Sequence, residues 1–129
     1  MTSNRAATLY ARLALGAAFL SAVAARFGLW DHRPHPFAQF IQYTGEVNSF
    51  LPAPAYPYIA VAATVAESLL GIALIAGFRL RWTALASAML LATFGTAMAI
   101  SGGIKSPLDA SAFSASAGAL LLSVVVDGK

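Results

Sequence analysis

A single ionisable residue, Glu67, stands inside an otherwise uncharged apolar run of 21 residues from Tyr58 to Phe78. A helix crossing a bilayer needs about 20 such residues. A charge at that depth costs about 3 kcal/mol or more unless it is paired or faces a polar cavity. Whatever this chain folds into must therefore give Glu67 a partner, a proton or a pocket.

Three further apolar runs accompany it: Thr8–Trp30 with Arg12 and Arg26 near its ends, Trp82–Ile100 with no charge, and Ala110–Val126, also uncharged. Only 10% of the 129 residues are charged and 59% are hydrophobic. A water-facing domain carries about 25% charged residues, so the surface expected here faces lipid. Alternating strands of a membrane barrel are not visible, and four strands do not close one. The reading is an all-α, four-transmembrane-helix bundle filling residues 1–129 as one domain, with spans at about 8–30, 58–78, 82–100 and 110–126.

The connections set the topology. Gly77-Phe78-Arg79-Leu80-Arg81 is so short that the second and third spans must be antiparallel neighbours. Gly102-Gly103 breaks the third helix, and Ser106-Pro107-Leu108-Asp109 has the composition of a helix start. The long connection, 31–57, is bracketed by prolines. Between them Phe37, Phe40, Ile41, Thr44, Val47, Phe50 and Leu51 recur at helical spacing, with Gln39, Gln42, Glu46 and Asn48 largely opposite. That pattern predicts a short amphipathic helix at the membrane surface in the first outer loop. The excess of Arg5, Arg12, Arg79, Arg81 and Lys129 over Arg26, Arg33 and Lys105 places both termini inside. A rival reading makes the first run a cleaved signal, with Ala22-Val23-Ala24 as the small-residue site. The apolar stretch continuing through Phe27 to Trp30 suits a span better.

Arg12 and Glu67 are the candidate intramembrane groups. Glu67 lies about 16 Å from the inner end of its helix and Arg12 roughly two turns shallower, within reach of a long side chain. Either helix register is fixed by an ion pair, or by a Glu67 carboxylic acid hydrogen-bonded to a neighbouring Ser or Thr, or Glu67 is a proton-accepting or ligand-binding carboxylate. Asp31, His32 and His35 in the outer loop are candidate contacts, as are Lys105 and Asp109. Two histidines three apart with an aspartate have metal-ligating chemistry, but the interrupting prolines and Arg33 favour a polar interfacial loop, and no metal is expected. The histidines also offer a pH-sensitive or quinone-contacting group.

What the chain lacks narrows the function. There are no cysteines, so thiol relays and Cys-ligated clusters are excluded within it. No histidine falls in a span, which excludes a bis-histidine haem held by this chain alone. Phosphate loops, dinucleotide fingerprints and basic clusters for nucleic acid are absent. Trp30, Tyr43, Tyr56, Tyr58 and Trp82 fit interfacial belts.

The run RLALGAAFLSAVAARFG from Arg12 to Gly28 and the run AESLLGIALIAGFRLRWTAL from Ala66 to Leu85 together resemble the DoxX family of small four-helix membrane proteins. So does the Lys105–Asp109 loop, which is similar to one branch. This chain has Ala25-Arg26 where many members have a glycine and a nearby lysine. The resemblance implies a plasma (inner) membrane protein, N-terminus inside, linked to quinone-coupled sulfur oxidation or to complexes that handle thiol or oxidative stress. With no cofactor held by this chain, any redox centre or thiol would reside in a membrane or peripheral oxidoreductase partner. The leading expectation is an accessory subunit, not catalytic on its own, shaping a quinone contact with Glu67, Arg12 and outer-loop aromatics. A small transporter using Glu67 and a purely structural assembly factor are the alternatives. Lipid and a second copy of the chain are the other expected partners; nucleic acid is not.

Overall fold

The computed structural model describes residues 2–29 and 33–126, and among them every regular element is helical. In chain order these are α1 (Thr2–Arg26), α2 (Pro36–Val47), a 3-10 turn (Ala53–Ala55), α3 (Tyr56–Ala76), α4 (Leu80–Gly102), α5 (Lys105–Asp109) and α6 (Ala112–Val125). α1, α3 and α4 are long and apolar enough to cross a membrane. Their outward faces carry Leu69, Ile72 and Met89, each more than half exposed, as lipid contact requires and water disfavours.

The run expected to form a fourth span holds an apolar helix that is shorter than the other three. Its helix, α6, is 14 residues long, about 21 Å at 1.5 Å per residue, against a hydrocarbon core of about 30 Å. Its start also lies beyond the expected cap region: Ser106–Asp109 belongs to the one-turn helix α5, and Ser111 in the left-handed conformation (φ 60°) breaks it from α6.

Two glycines end helices where the side chains of the site need them. At Gly28 (φ 74°) the amide of Leu29 donates to Ala24 O at 3.0 Å and that of Gly28 to Ala25 O at 3.2 Å. This is the glycine-terminated closure that only a residue tolerant of positive φ makes cheaply. It stops α1 at Arg26, four residues short of the expected Trp30. Gly77 (φ 79°) ends α3 the same way, with Gly77 and Phe78 amides both on Ala73 O.

The bundle is built from two close pairs, α1 against α3 and α4 against α6. The first pair is tight because Gly16 faces Gly71: a Cβ on Gly16 would lie 3.0 Å from Gly71 O, and one on Gly71 would lie 2.9 Å from Leu20. Small residues allow this approach where lipid supplies no hydrophobic drive between helices. Phe19, Leu74, Ala84 and Leu122 form the core that joins the two pairs. α2 packs across α3, α4 and α1. Within α2 the face predicted from spacing turns inward, with Thr44 buried and Phe37, Phe40, Ile41 and Val47 partly buried, while Gln39, Gln42 and Glu46 are exposed; α2 stops at Val47, so Phe50, which is exposed, and Leu51 lie beyond it. Asn48 departs from the pattern and turns inward too.

Candidate functional site

Glu67 is 3% exposed, and its partner is Arg26. Nη2 of Arg26 donates to Oε1 at 3.1 Å and lies 2.7 Å from Oε2. Nη1 donates to Thr64 Oγ1 at 3.0 Å, and that hydroxyl donates on to Ala60 O at 2.8 Å. The guanidinium carbon sits 3.6 Å from the centre of the Phe40 ring, a cation–π contact strengthened by exclusion of water. Three helices thus converge on one charge: α1 supplies it, α3 neutralises it, α2 covers its face.

The expected pairing of Glu67 with Arg12 is not what the structure holds. Arg12 Nε donates to Leu74 O at 2.9 Å and its Nη2 to Ile75 O at 2.7 Å. Those carbonyls are in the last turn of α3, where backbone acceptors lack helical partners and a cation is favoured. The reason lies in side-chain direction. Helical side chains lean toward their own N-terminus. Arg12 therefore leans away from the level of Glu67, toward the end where α3 stops. Arg26 leans back into the bundle, and Glu67, on the antiparallel α3, leans toward it. Arg26, and not Arg12, is therefore the partner of Glu67, and this directional rule is the signal in the sequence that points to it.

The ion pair forms one wall of a cavity of about 130 Å³ beneath α2. Ile59 and Ala63 of α3 and Phe94, Ala97 and Met98 of α4 give it apolar sides; Phe40, Tyr43, Thr44, Val47 and Asn48 form its roof. Two wall polar groups are turned onto the backbone: Thr44 Oγ1 donates to Phe40 O and Asn48 Nδ2 to Thr44 O. Glu67 Oε2, although close to Arg26, is off the line of its N–H groups. It is the buried side-chain polar atom left without a hydrogen bond among the described residues. The volume suits several waters at about 30 Å³ each, or one small ring, rather than a drug-sized ligand of about 300 Å³ or more.

The other candidates lie outside this arrangement. Asp31 and His32 fall outside the described residues. His35 adopts a left-handed conformation (φ 48°) just before α2, and its carbonyl accepts from the Gln39 amide. Lys105 and Asp109 pair with each other on the surface, with side chains 85% and 63% exposed. No group of three or more metal-ligating residues occurs among the described residues.

A family model described as DoxX matches residues 7–102, a stretch that runs from within α1 to the end of α4 and contains every wall of the cavity. No curated protein and no solved structure matches the chain.

Proposed function

Because this chain belongs to the DoxX family of membrane proteins, we propose that it is an accessory subunit of a membrane redox complex, contributing a small quinone-class pocket to a partner oxidoreductase. The observation that carries the reading is the Arg26–Glu67 pair, side chains 10% and 5% exposed, walling a largely apolar cavity. A buried pair is seldom the most stable way to fill a bundle, since packed apolar residues often do as well or better. Its retention beside a cavity fits a polar anchor for a ring that arrives from lipid. The cavity lies between α3 and α4, which are consecutive in sequence.

In this reading the protein sits in the plasma membrane with both termini inside. Arg5, Arg12, Arg79, Arg81 and Lys129 on the inner side outnumber Arg26, Arg33 and Lys105 on the outer, which supports this orientation. α6 acts as a fourth, short span leaning on α4, accommodated by local thinning of the bilayer. α2 lies at the outer surface, its glutamines and Glu46 toward water and its apolar face over the cavity. Chemistry on electrons or sulfur belongs to the partner.

Purification from native membranes in mild detergent, with mass spectrometry and an optical spectrum, tests this. A flavin-, haem- or thiol-bearing partner in stoichiometric amount is the expected result. A colourless homo-oligomer without partner would overturn it, and flux measurements on Glu67→Gln in proteoliposomes would then examine transport.

A further inference from the structure

Resting on the quinone-class pocket just proposed, we infer that its ligand carries a hydrocarbon tail, which leaves the cavity between Asn48 and Ala97 and lies in a groove on the lipid-facing side of α4, beneath the loop that follows α2.

The size of the cavity sets the need. Its volume of about 130 Å³ takes one small ring and no chain. Membrane quinones carry their ring on a polyisoprenoid chain, so such a ring seats only where the chain has a way out. Two grooves adjoin the cavity past Tyr43, which lines all three spaces. One is rimmed by Arg33 and Gln39, the other by the exposed Lys105–Asp109 pair. Charged rims hold water, which a hydrocarbon chain avoids. Another groove shares Asn48 and Ala97 with the cavity and is lined by Phe50, Leu51, Ala92, Thr93, Thr96 and Ile100, none of them charged. Its two hydroxyls are already taken: Thr93 Oγ1 donates to Met89 O and Thr96 Oγ1 to Ala92 O, each at 2.8 Å, so neither needs water.

Local structure shapes this groove. Thr93 and Thr96 recur at helical spacing on the exposed face of α4 that also carries Met89 and Ile100, and between those larger side chains the surface dips. Phe50 and Leu51 overhang the dip. The Ser49 amide donates to Ser101 Oγ at 3.2 Å and Tyr56 Oη to Leu51 O at 2.9 Å, which tie the loop to α4 and α3. The partition from the cavity is thin: Ala97 contributes one methyl, and Asn48 Nδ2 is turned onto Thr44 O at 2.9 Å. On the cavity side the Arg26–Glu67 pair offers polar atoms to ring oxygens. A ligand with a polar ring and an apolar tail matches both sides at once. Lipid is as apolar as the groove, so the tail adds little affinity; the groove decides which ligands can seat their ring.

The test uses purified protein in nanodiscs and two photoreactive forms of one isoprenoid benzoquinone, one activated on the ring and one on the tail beside it, with peptide mapping of the adducts. The ring form should mark residues that line the cavity. The tail form should mark Phe50, Leu51, Thr93, Thr96 or Ile100. Thr96→Trp, at an exposed position, puts an indole in the groove. In that variant a short-chain benzoquinone should displace the ring label as well as it does in the parent. A long-tailed one, corrected for partition, should need about tenfold more or higher. A ring label in the cavity with a tail label at Tyr43, at Lys105–Asp109, or spread over Leu69 and Ile72 overturns the inference and leaves the pocket reading standing. So does equal displacement by both ligands in Thr96→Trp. A ring label outside the cavity overturns the pocket reading and the inference with it. If Thr96→Trp does not fold, the two labels on the parent protein decide alone.

Discussion

Replacing Arg26 with alanine should be the most damaging single polar truncation in the bundle, and its cost can be worked from the contacts. The substitution removes the ion pair to Glu67, the hydrogen bond to Thr64 and the stacking on Phe40. Breaking a buried pair from one side costs about 3–5 kcal/mol, chiefly because the remaining charge stays buried and uncompensated. At about 3 °C per kcal/mol for a chain of this size, the midpoint of thermal unfolding in detergent should fall by about 10 °C. The double variant Arg26→Met, Glu67→Leu removes both charges and keeps volume. It should recover most of that loss, since apolar replacement of a buried pair is often neutral or stabilising. Unfolding followed by intrinsic fluorescence on the four members of the cycle gives the coupling directly. An Arg26→Ala variant as stable as the parent, or a double variant worse than the two singles combined, would refute the reasoning.

Other consequences are equally concrete. Arg12→Met should cost about 2–3 kcal/mol through the lost capping of Leu74 and Ile75 carbonyls, and should be additive with Glu67→Gln to within about 0.5 kcal/mol; strong coupling in that cycle would restore the Arg12–Glu67 pairing. Gly71→Leu should destabilise by about 1–3 kcal/mol or prevent assembly, because even a Cβ there would meet Leu20 and Phe19 at 2.9 and 3.2 Å. Gly28→Ala should lower the unfolding midpoint through about 1–2 kcal/mol of left-handed strain. Lys105→Ala should change stability by less than about 1 kcal/mol, since its ion pair with Asp109 is solvated.

Much of the architecture was legible because bilayer length and helical period are coarse signals. The apolar runs around Glu67 and from Trp82 to Ile100 became α3 and α4: α3 starts before its run at Tyr56 and stops at Ala76, short of Phe78, while α4 outreaches its run at both ends, from Leu80 to Gly102. The spacing of Phe37, Phe40, Ile41, Thr44 and Val47 gave α2 its inward face. Hydropathy has no means of showing where a helix stops within an apolar run. α1 ends at Arg26 because Gly28 turns the backbone left-handed, although Phe27 and Leu29 continue the apolar pattern. α6 is shorter than its run for a related reason, the break at Ser111. Glu67 was recognisable as buried from its lone charge. Its partner was not, because depth along the sequence ranks Arg12 and Arg26 similarly, and the direction of the Cα–Cβ bond decides between them. The cavity depends on α2 folding back over α3 and α4, a long-range contact that no local pattern encodes.

The central claim is a ring-binding cavity walled by the Arg26–Glu67 pair beneath α2. An azido-quinone photolabel applied to the protein in nanodiscs, with peptide mapping of the adducts, tests it most directly. Labels are expected within Phe40–Asn48, Ile59–Glu67 or Phe94–Met98, suppressed by excess unlabelled ligand and lost in Ala97→Leu. Labels spread along the lipid-facing residues Leu69, Ile72 and Met89, indifferent to competitor, would contradict it.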